Sequence, residues 1–317
     1  MAILVMTKNK KNDRDWSKID AAHARRGELL TVVFDPSGAA FGPPPKSGCR
    51  GAPRHYSDEL IEALITVKLM TRLSLRAIEG FARGLARIAG GVSWQIPDYS
   101  TLSRRERTLT VDLAAAPREK RRVLVVDSTG LKVFGEGEWK VRVHGTGGNR
   151  RTWRKVHLLV DRETGHIIEV KTTAANVHDC TVLPALLPVD LKGDYVLGDG
   201  AYHTQPLHRL VHARGGCYRT PPPRDARVWK PYHWKSAEHA FRWRNAELTR
   251  LQRLGRSQWK IATGLSQRSF VESTNRRFKT ITGDKLSART LDRQRVEVRL
   301  RCKALNVTAL STWSAPV

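Results

Sequence analysis

Cysteine is scarce in this chain, and long apolar runs are missing from it. The four cysteines among the 317 residues lie far apart and form no C-x-x-C pair. This spacing indicates neither a zinc knuckle nor a disulfide framework. No apolar run approaches the roughly 20 residues needed to cross a bilayer, and the apolar residues 1–6 are too few for the core of a signal peptide. We therefore expect an unsecreted protein of the reducing cytoplasm that does not enter a membrane.

Acidic residues are also in short supply. Asp and Glu total 30 against 56 Lys and Arg, which gives a net charge of +26. Such an excess repels itself in a compact protein, so it predicts a polyanionic partner. The basic clusters are spread along the whole chain, and none lies on an amphipathic helix with a large aromatic face. This distribution favours nucleic acid over a membrane surface.

Changes of pattern along the chain predict its domains. Residues 1–54 are basic and rich in loop formers, and residues 55–116 show helical spacing. Residues 117–310 begin with strand patterns and continue with alternating helices and strands, which predicts an α/β domain with a mixed sheet flanked by helices. Within this domain, residues 221–260 are basic and Trp-rich, and we interpret them as an insertion. Residues 311–317 form a tail.

The helical segment has the features of a small DNA-binding domain. Ser57 is expected to cap its first helix. Ser100 or Ser103 is expected to cap the third, where S-R-R-E matches a capping box. Arg104 and Arg105 follow on that helix, as in a helix-turn-helix arrangement. A small bundle that serves only for packing would show the same pattern.

Apolar runs predict the strands and helices of the α/β domain. The predicted strands are 123–126, 153–160, 166–173, 195–198 and 216–220, of which the second and third form a hairpin. The predicted helices are 179–187, 205–214, 266–280 and 286–310. Two of the strands end in an aspartate, Asp127 in V-V-D-S-T-G and Asp199 in L-G-D-G-A-Y. A lone aspartate there is usually a turn former, but ligand-binding side chains also collect at such strand ends.

A third acidic residue lies on a helix with two basic ones. Glu272 lies about 40° from Arg268 around the helix axis, and Lys279 about 20° from Arg268, so the three share one face. An ordinary exposed face with a salt bridge would show the same spacing.

These three blocks together resemble a known family. V-V-D-S-T-G, G-D-G-A-Y and R-x3-E-x6-K are similar to the signature blocks of the DDE transposases of bacterial insertion sequences, and especially to the insertion-sequence-five family. P-D-Y-S-T-L-S-R-R, W-R-K-V-H and L-S-A-R-T-L-D are also similar, so that the resemblance covers residues 56–310 in order. Leu265 departs from it, because related transposases often have a tyrosine three residues before the motif arginine.

The resemblance implies a ribonuclease-H-like core in which Asp127, Asp199 and Glu272 converge to hold two Mg²⁺ ions, with Mn²⁺ as a possible substitute. Asp127 is then expected to bridge both ions. The implied function is to bind the terminal inverted repeats, cut the DNA at the element ends and join the 3′ hydroxyls to target DNA. The implied partner is double-stranded DNA of the bacterial nucleoid, bound by a homodimer because two ends must be held together.

Six basic residues are candidates for contact with this DNA. Arg268 and Lys279 are expected to hold backbone phosphates, which Arg binds bidentately and Lys as a point charge. The others are Arg104, Arg105, Lys155 and Arg276. Two other functions remain open: a site-specific nuclease that never joins DNA, and a repressor or domesticated factor with an inactive core.

Overall fold

A computed structural model describes residues 54–88, 94–113, 120–133, 153–230 and 238–313, together with Pro44. Almost all of the predicted segment 1–54 and residues 314–317 of the predicted tail lie outside the described residues. Within the described ranges, every helix is either too short or too polar to pass through a bilayer.

Residues 54–88 and 94–113 contain the helices α1 (Asp58–Thr71), α2 (Leu75–Ile88) and α3 (Tyr99–Arg105). The predicted cap of α1 is confirmed, because Ser57 Oγ accepts a hydrogen bond from the backbone N–H of Leu60 at 3.0 Å. This bond satisfies one of the N–H groups that a helix leaves free in its first turn.

The predicted cap of α3 is wrong. The helix begins at Tyr99, and its cap is Asp98, whose carboxylate accepts from the backbone N–H of Thr101 at 2.8 Å. Ser103 therefore lies within the helix. Both serines match the capping pattern, but Asp98 is an equally good cap and comes first, directly after Pro97.

The α/β part is built on a mixed sheet. Its strands are β1 (Val123–Val133), β2 (Trp153–Asp161), β3 (Ile167–Ala174), β4 (Tyr195–Leu197), β5 (Cys217–Arg219) and β6 (Lys285–Leu286). The order is β3-β2-β1-β4-β5, with β6 paired to β1. The pairs β1–β2 and β2–β3 are antiparallel, whereas β1–β4 and β4–β5 are parallel. This confirms the predicted mixed sheet and is consistent with a ribonuclease-H-like core.

Helices cover both faces of the sheet. The helices are α4 (Asp179–Leu186), α5 (Gln205–Ala213), α6 (Glu238–Ala262), α7 (Ser269–Thr282) and α8 (Leu291–Trp313). Alternate residues of β1 point to opposite faces. Leu124 and Val126 pack with residues of α4 and α5, whereas Val125 and Leu131 pack with residues of α6, α7 and α8. The sheet is thus the middle of three layers.

The structure also adds to what the sequence predicted. The segment 221–260, interpreted as an insertion, includes most of α6, which is kinked at Gly255 and contributes Leu248 and the buried Trp259 to the core. The last predicted helix, 286–310, begins instead at Leu291, because residues 285–286 pair with β1 as strand β6.

The helical segment and the α/β part share α8. Leu300 of α8 is buried among apolar residues of α1, α2 and α3, and Val296 packs against the same cluster. Lys303 of α8 forms an ion pair with Glu62 of α1. Arg299 also donates from Nε to the carbonyl oxygen of Val111 at 2.9 Å. The helical segment is therefore anchored on a helix that also packs in the core of the α/β part.

Candidate active site

Asp127 lies in the middle of the sheet. The expectation that its strand ends there is wrong, because β1 continues to Val133 and Asp127 pairs with Leu158 of β2. On the other side, the pairing of β1 with β4 stops at Val125, opposite Leu197. Asp127 therefore borders the place where β4 has ended, and its edge on that side is open.

Asp199 occupies the matching position on β4. It lies two residues beyond Leu197, just as Asp127 lies two residues beyond Val125, its partner in the parallel register. Because side chains alternate along strands, both aspartates continue the same face of the sheet. Asp199 also caps a short 3₁₀ turn, with its Oδ1 accepting from the backbone N–H of Ala201 at 2.8 Å.

Gly198 allows this turn to close. A Cβ atom at this position would lie only 3.1 Å from Cβ of Tyr202, which is almost fully buried. The glycine therefore lets the chain fold tightly against the tyrosine and directs Asp199 to the sheet edge. The G-D-G-A-Y block is explained locally by this packing.

Glu272 approaches from helix α7, which packs on β1 through buried residues such as Val271 and Phe278. Its side chain is 56% exposed and pairs with Arg268 one turn earlier, at 2.5 Å between Oε1 and the guanidinium. Arg268 lies in the 3₁₀ turn that precedes α7. Lys279 follows in the last turn of the same helix and is half-buried.

The surroundings of Asp127 change its pKa. Burial raises the pKa of Asp127 above its ordinary value, and the charges of Asp199 and Glu272 raise it further. The backbone N–H of Ser128 and the charge of Arg268 lower the pKa of Asp127. Asp127 is thus a partly buried acid in the field of two other acids, which is the arrangement that a bound cation stabilises.

The donor set fits a hard divalent cation, which prefers carboxylate and carbonyl oxygens. Among the described residues, no three His, Cys, Asp or Glu side chains are close enough together to hold one ion as they stand. Glu272 is turned to Arg268 instead. An exposed pair four residues apart on a helix contributes only about 0.3–0.5 kcal/mol, so this carboxylate can turn away at little cost.

Two family models match the chain. Residues 118–307, more than half of the chain, match a model described as a transposase DDE domain. The chain belongs to the DDE transposases. Residues 24–136 match a second model with the same description, which is consistent with the insertion-sequence-five resemblance. No solved structure matches the transposase.

The predicted DNA contacts of the transposase fall into two groups. Arg104 and Arg276 are exposed, and Arg104 donates to Thr101 Oγ1 of its own helix at 3.1 Å. Arg105 instead donates to the carbonyl oxygen of Tyr56 and to Asp58, and so ties α3 to the start of α1.

Lys155, like Arg105, makes contacts within the protein. Its ammonium lies 3.0 Å from Oδ1 of Asp179 and donates to the carbonyl oxygen of Val177 at 2.9 Å. It therefore holds the beginning of α4 against β2. A phosphate could bind Lys155 only by competing with these two partners.

Sequence reasoning missed one residue of the site. Asn275 of α7 is 9% exposed, and it donates from Nδ2 to Oδ2 of Asp127 at 3.1 Å. The only signal in the sequence is its position one turn after Glu272, where a helix brings the two side chains to neighbouring positions.

Proposed function

We propose that this transposase binds the terminal inverted repeats of its insertion sequence, cleaves the DNA at the element ends and joins the 3′ hydroxyls to target DNA. The observation that supports this is the position of Asp127 and Asp199 on adjacent parallel strands, in register, beside the helix that carries Glu272. DNA as the substrate follows from the family.

In this proposal Asp127, Asp199 and Glu272 hold two Mg²⁺ ions, for which Mn²⁺ can substitute. Held by these three carboxylates, such ions would supply charge stabilisation for the attacking and the leaving oxygen of a phosphodiester displacement. The chain itself supplies the carboxylates and a partly buried place for them. Asp127 is central in the proposal because its pKa is raised by burial and by the charges of both other acids.

Arg268 has two partners in the proposal. Without DNA, its guanidinium neutralises Glu272. A backbone phosphate binds a guanidinium bidentately, and such a bond is stronger than an exposed pair with a carboxylate. Arrival of DNA would therefore draw Arg268 to the phosphate and release Glu272 for the cation site. Lys279 and Arg276, further along the same helix, would contact the flanking backbone.

The helical segment is proposed to bind DNA through its exposed basic face. Arg76, Arg83 and Arg87 of α2 project within an arc of about 40°, opposite the buried Ile78. Arg104 of α3, in the same helical segment, is also exposed. The structure uses Arg105 for internal contacts, so Arg104 and the face of α2 carry this part of the proposal.

Two element ends must be brought together for joining, so we propose that the protein acts as a homodimer on DNA, in the cytoplasm at the nucleoid. The domain division at about residue 116 is part of the proposal: a helical DNA-binding segment followed by a ribonuclease-H-like catalytic domain.

The central test is to replace each acid by its amide. Asp127→Asn, Asp199→Asn and Glu272→Gln should each lower cleavage below about 1% of the wild-type rate, because the site loses a charged ligand. DNA binding, measured by gel shift, should persist. The assay uses a labelled duplex of the element end, Mg²⁺ and a target plasmid. Asp190→Asn and Glu163→Gln, at exposed positions outside the helices and strands, are the matched controls and should cut normally.

Each outcome decides between functions. A variant of the three that still cuts at nearly the wild-type rate would falsify the assignment of that residue. Nicked ends without joined products from the wild-type protein would indicate a site-specific nuclease. Binding of the ends without cutting would indicate a DNA-binding factor with an inactive core.

A further inference from the structure

Helix α7 presents an amide to the central acid of the site. Asn275 is three residues after Glu272, and its Nδ2 lies 3.1 Å from Oδ2 of Asp127, which is 148 residues earlier in the chain. This contact joins α7 to the middle of β1. Asn275 is buried, whereas Glu272 on the same helix is exposed.

The chemistry of the pair fixes the orientation of the amide. An ionised carboxylate can only accept hydrogen bonds, so the amide must present its NH₂ group to Asp127. Its carbonyl oxygen then faces elsewhere. Asn275 Oδ1 is buried and has no hydrogen-bond partner among the described residues. A buried acceptor without a partner is unfavourable, and a buried polar atom left in this way calls for a reason.

The chemistry of Asn275 Oδ1 limits which groups can be its partner. A carbonyl oxygen needs a hydrogen-bond donor or a cation. DNA phosphates and the carboxylates of Asp199 and Glu272 are acceptors, so none of them can satisfy it. A divalent cation, or a water molecule in its hydration shell, can do so, since Mg²⁺ takes amide oxygens and usually keeps several waters.

We propose that Asn275 is a positioning residue of the cation site: its Nδ2 fixes the Asp127 carboxylate, and its Oδ1 faces the divalent cation, directly or through one water. The inference rests on the proposed function, because it takes Asp127 as a cation ligand. Groups that orient a ligand are needed for affinity as well as for activity, since a rotating carboxylate binds less well. The competing explanation is that Asn275 only tethers α7 to β1.

Asn275→Leu separates these explanations. Leucine is of similar size, removes the unpaired oxygen and cannot hold Asp127. Binding of Mn²⁺ alone, without DNA, is measured by electron paramagnetic resonance, and the melting temperature is recorded alongside. We expect the variant to fold, and its Kd for Mn²⁺ to be about tenfold or more higher than that of the wild type. Its cleavage rate should fall by at least the same factor. Unchanged Mn²⁺ affinity in the folded variant would overturn the proposal.

Thr274→Val is the matched control. Thr274 is the preceding residue of α7, is also buried, and donates to the carbonyl oxygen of Phe270 in its own helix at 3.3 Å. This variant should bind Mn²⁺ as the wild type does. A loss of affinity equal to that of Asn275→Leu would show that any change in the buried part of α7 disturbs the site, and would also contradict a specific role for Asn275.

Asn275→Asp decides the case if the leucine variant does not fold. It places a second carboxylate against Asp127, so the metal-free protein should melt at a lower temperature. Saturating Mn²⁺ should restore the melting temperature if the side chain faces the cation. It should not do so if the side chain only tethers α7 to β1. Asp127→Asn distinguishes a failure of the proposed function from a failure of the role proposed for Asn275. If that variant retains Mn²⁺ binding and cleavage, the proposed function fails; if it loses both while Asn275→Leu behaves as wild type, only the role of Asn275 fails.

Discussion

His157 is a buried histidine whose pKa is set by its burial and by two charged neighbours. It is fully buried on β2, with Nε2 2.9 Å from Thr173 Oγ1 and Nδ1 3.5 Å from Asp179 Oδ1. Burial lowers the pKa of His157 to about 4, while Asp179 acts to raise it and Lys155 to lower it. The imidazole is therefore neutral near pH 7, which fits a structural role beside the site.

His157→Gln should remove part of the loss of stability in acid. The folded pKa of about 4 lies below the unfolded value of roughly 6.5, so the unfolded chain takes up the proton first as the pH falls. Stability from the neutral histidine is complete above about pH 6.5 and is lost between about pH 6.5 and 4. From pH 7.5 to pH 5, the wild type should lose about 2 kcal/mol more unfolding free energy than the variant. Urea unfolding at both pH values measures this, and equal losses would contradict it.

Residues of the site were predictable from sequence only where a local pattern accompanied them. In the sequence, Asp127 and Asp199 each follow a short apolar run, and Glu272 has helical spacing with Arg268. Asn275 has no such pattern, because its partner Asp127 is brought to it only by the packing of α7 on β1. Arg105 shows the opposite case: its place on a basic helix predicted a DNA contact, but the fold brings Asp58 to it.

At the scale of elements, the mixed sheet was predictable because apolar runs mark five of its strands between residues 123 and 220. Helix α6 was not. Three arginines lie between its core residues Leu248 and Trp259, and the kink at Gly255 interrupts the helical period. Strand β6 is only two residues long, and its pairing with β1 joins distant parts of the chain, so no local pattern reveals it.

The outer face of α2 gives an element-scale prediction. Arg83→Glu combined with Arg104→Glu should weaken binding of the element-end duplex by about tenfold or more, because each change replaces an attraction for phosphate by a repulsion. The slope of log K against log salt should become shallower, by roughly 0.9 for each phosphate that the variant no longer neutralises. Fluorescence anisotropy at several salt concentrations measures both quantities.

Lys192→Glu is the charge-reversal control, with the same change in charge as either single replacement of that pair. Lys192 is exposed in the turn before β4 of the α/β part. Single replacement there should leave the salt slope unchanged. If the α2 and α3 variant keeps the wild-type slope as well, the helical segment is a packing unit and not a DNA-binding one.

At the scale of the whole molecule, the charge of +26 is only partly available to DNA. Arg301 and Glu297 form a buried pair on α8, and Arg301 also donates to the carbonyl oxygens of Gly283 and Lys285. Arg122 pairs with the buried Asp194 and so joins the starts of β1 and β4. Composition predicts the polyanionic partner, but only the fold shows which basic residues already have internal partners.

The shared helix α8 predicts that the helical segment and the α/β part unfold together. Leu300 is fully buried among residues of α1, α2 and α3, whereas Leu305 and Val298 of the same helix pack in the core of the α/β part. Leu300→Ala should lower the free energy of unfolding by about 2–5 kcal/mol, and Leu300→Met by less than about 1.5 kcal/mol. Hydrogen exchange should then show that the slowest amides of α1 and of β1 lose protection by the same amount. Loss confined to α1 would mean that the two cores open independently, and that α8 does not couple them.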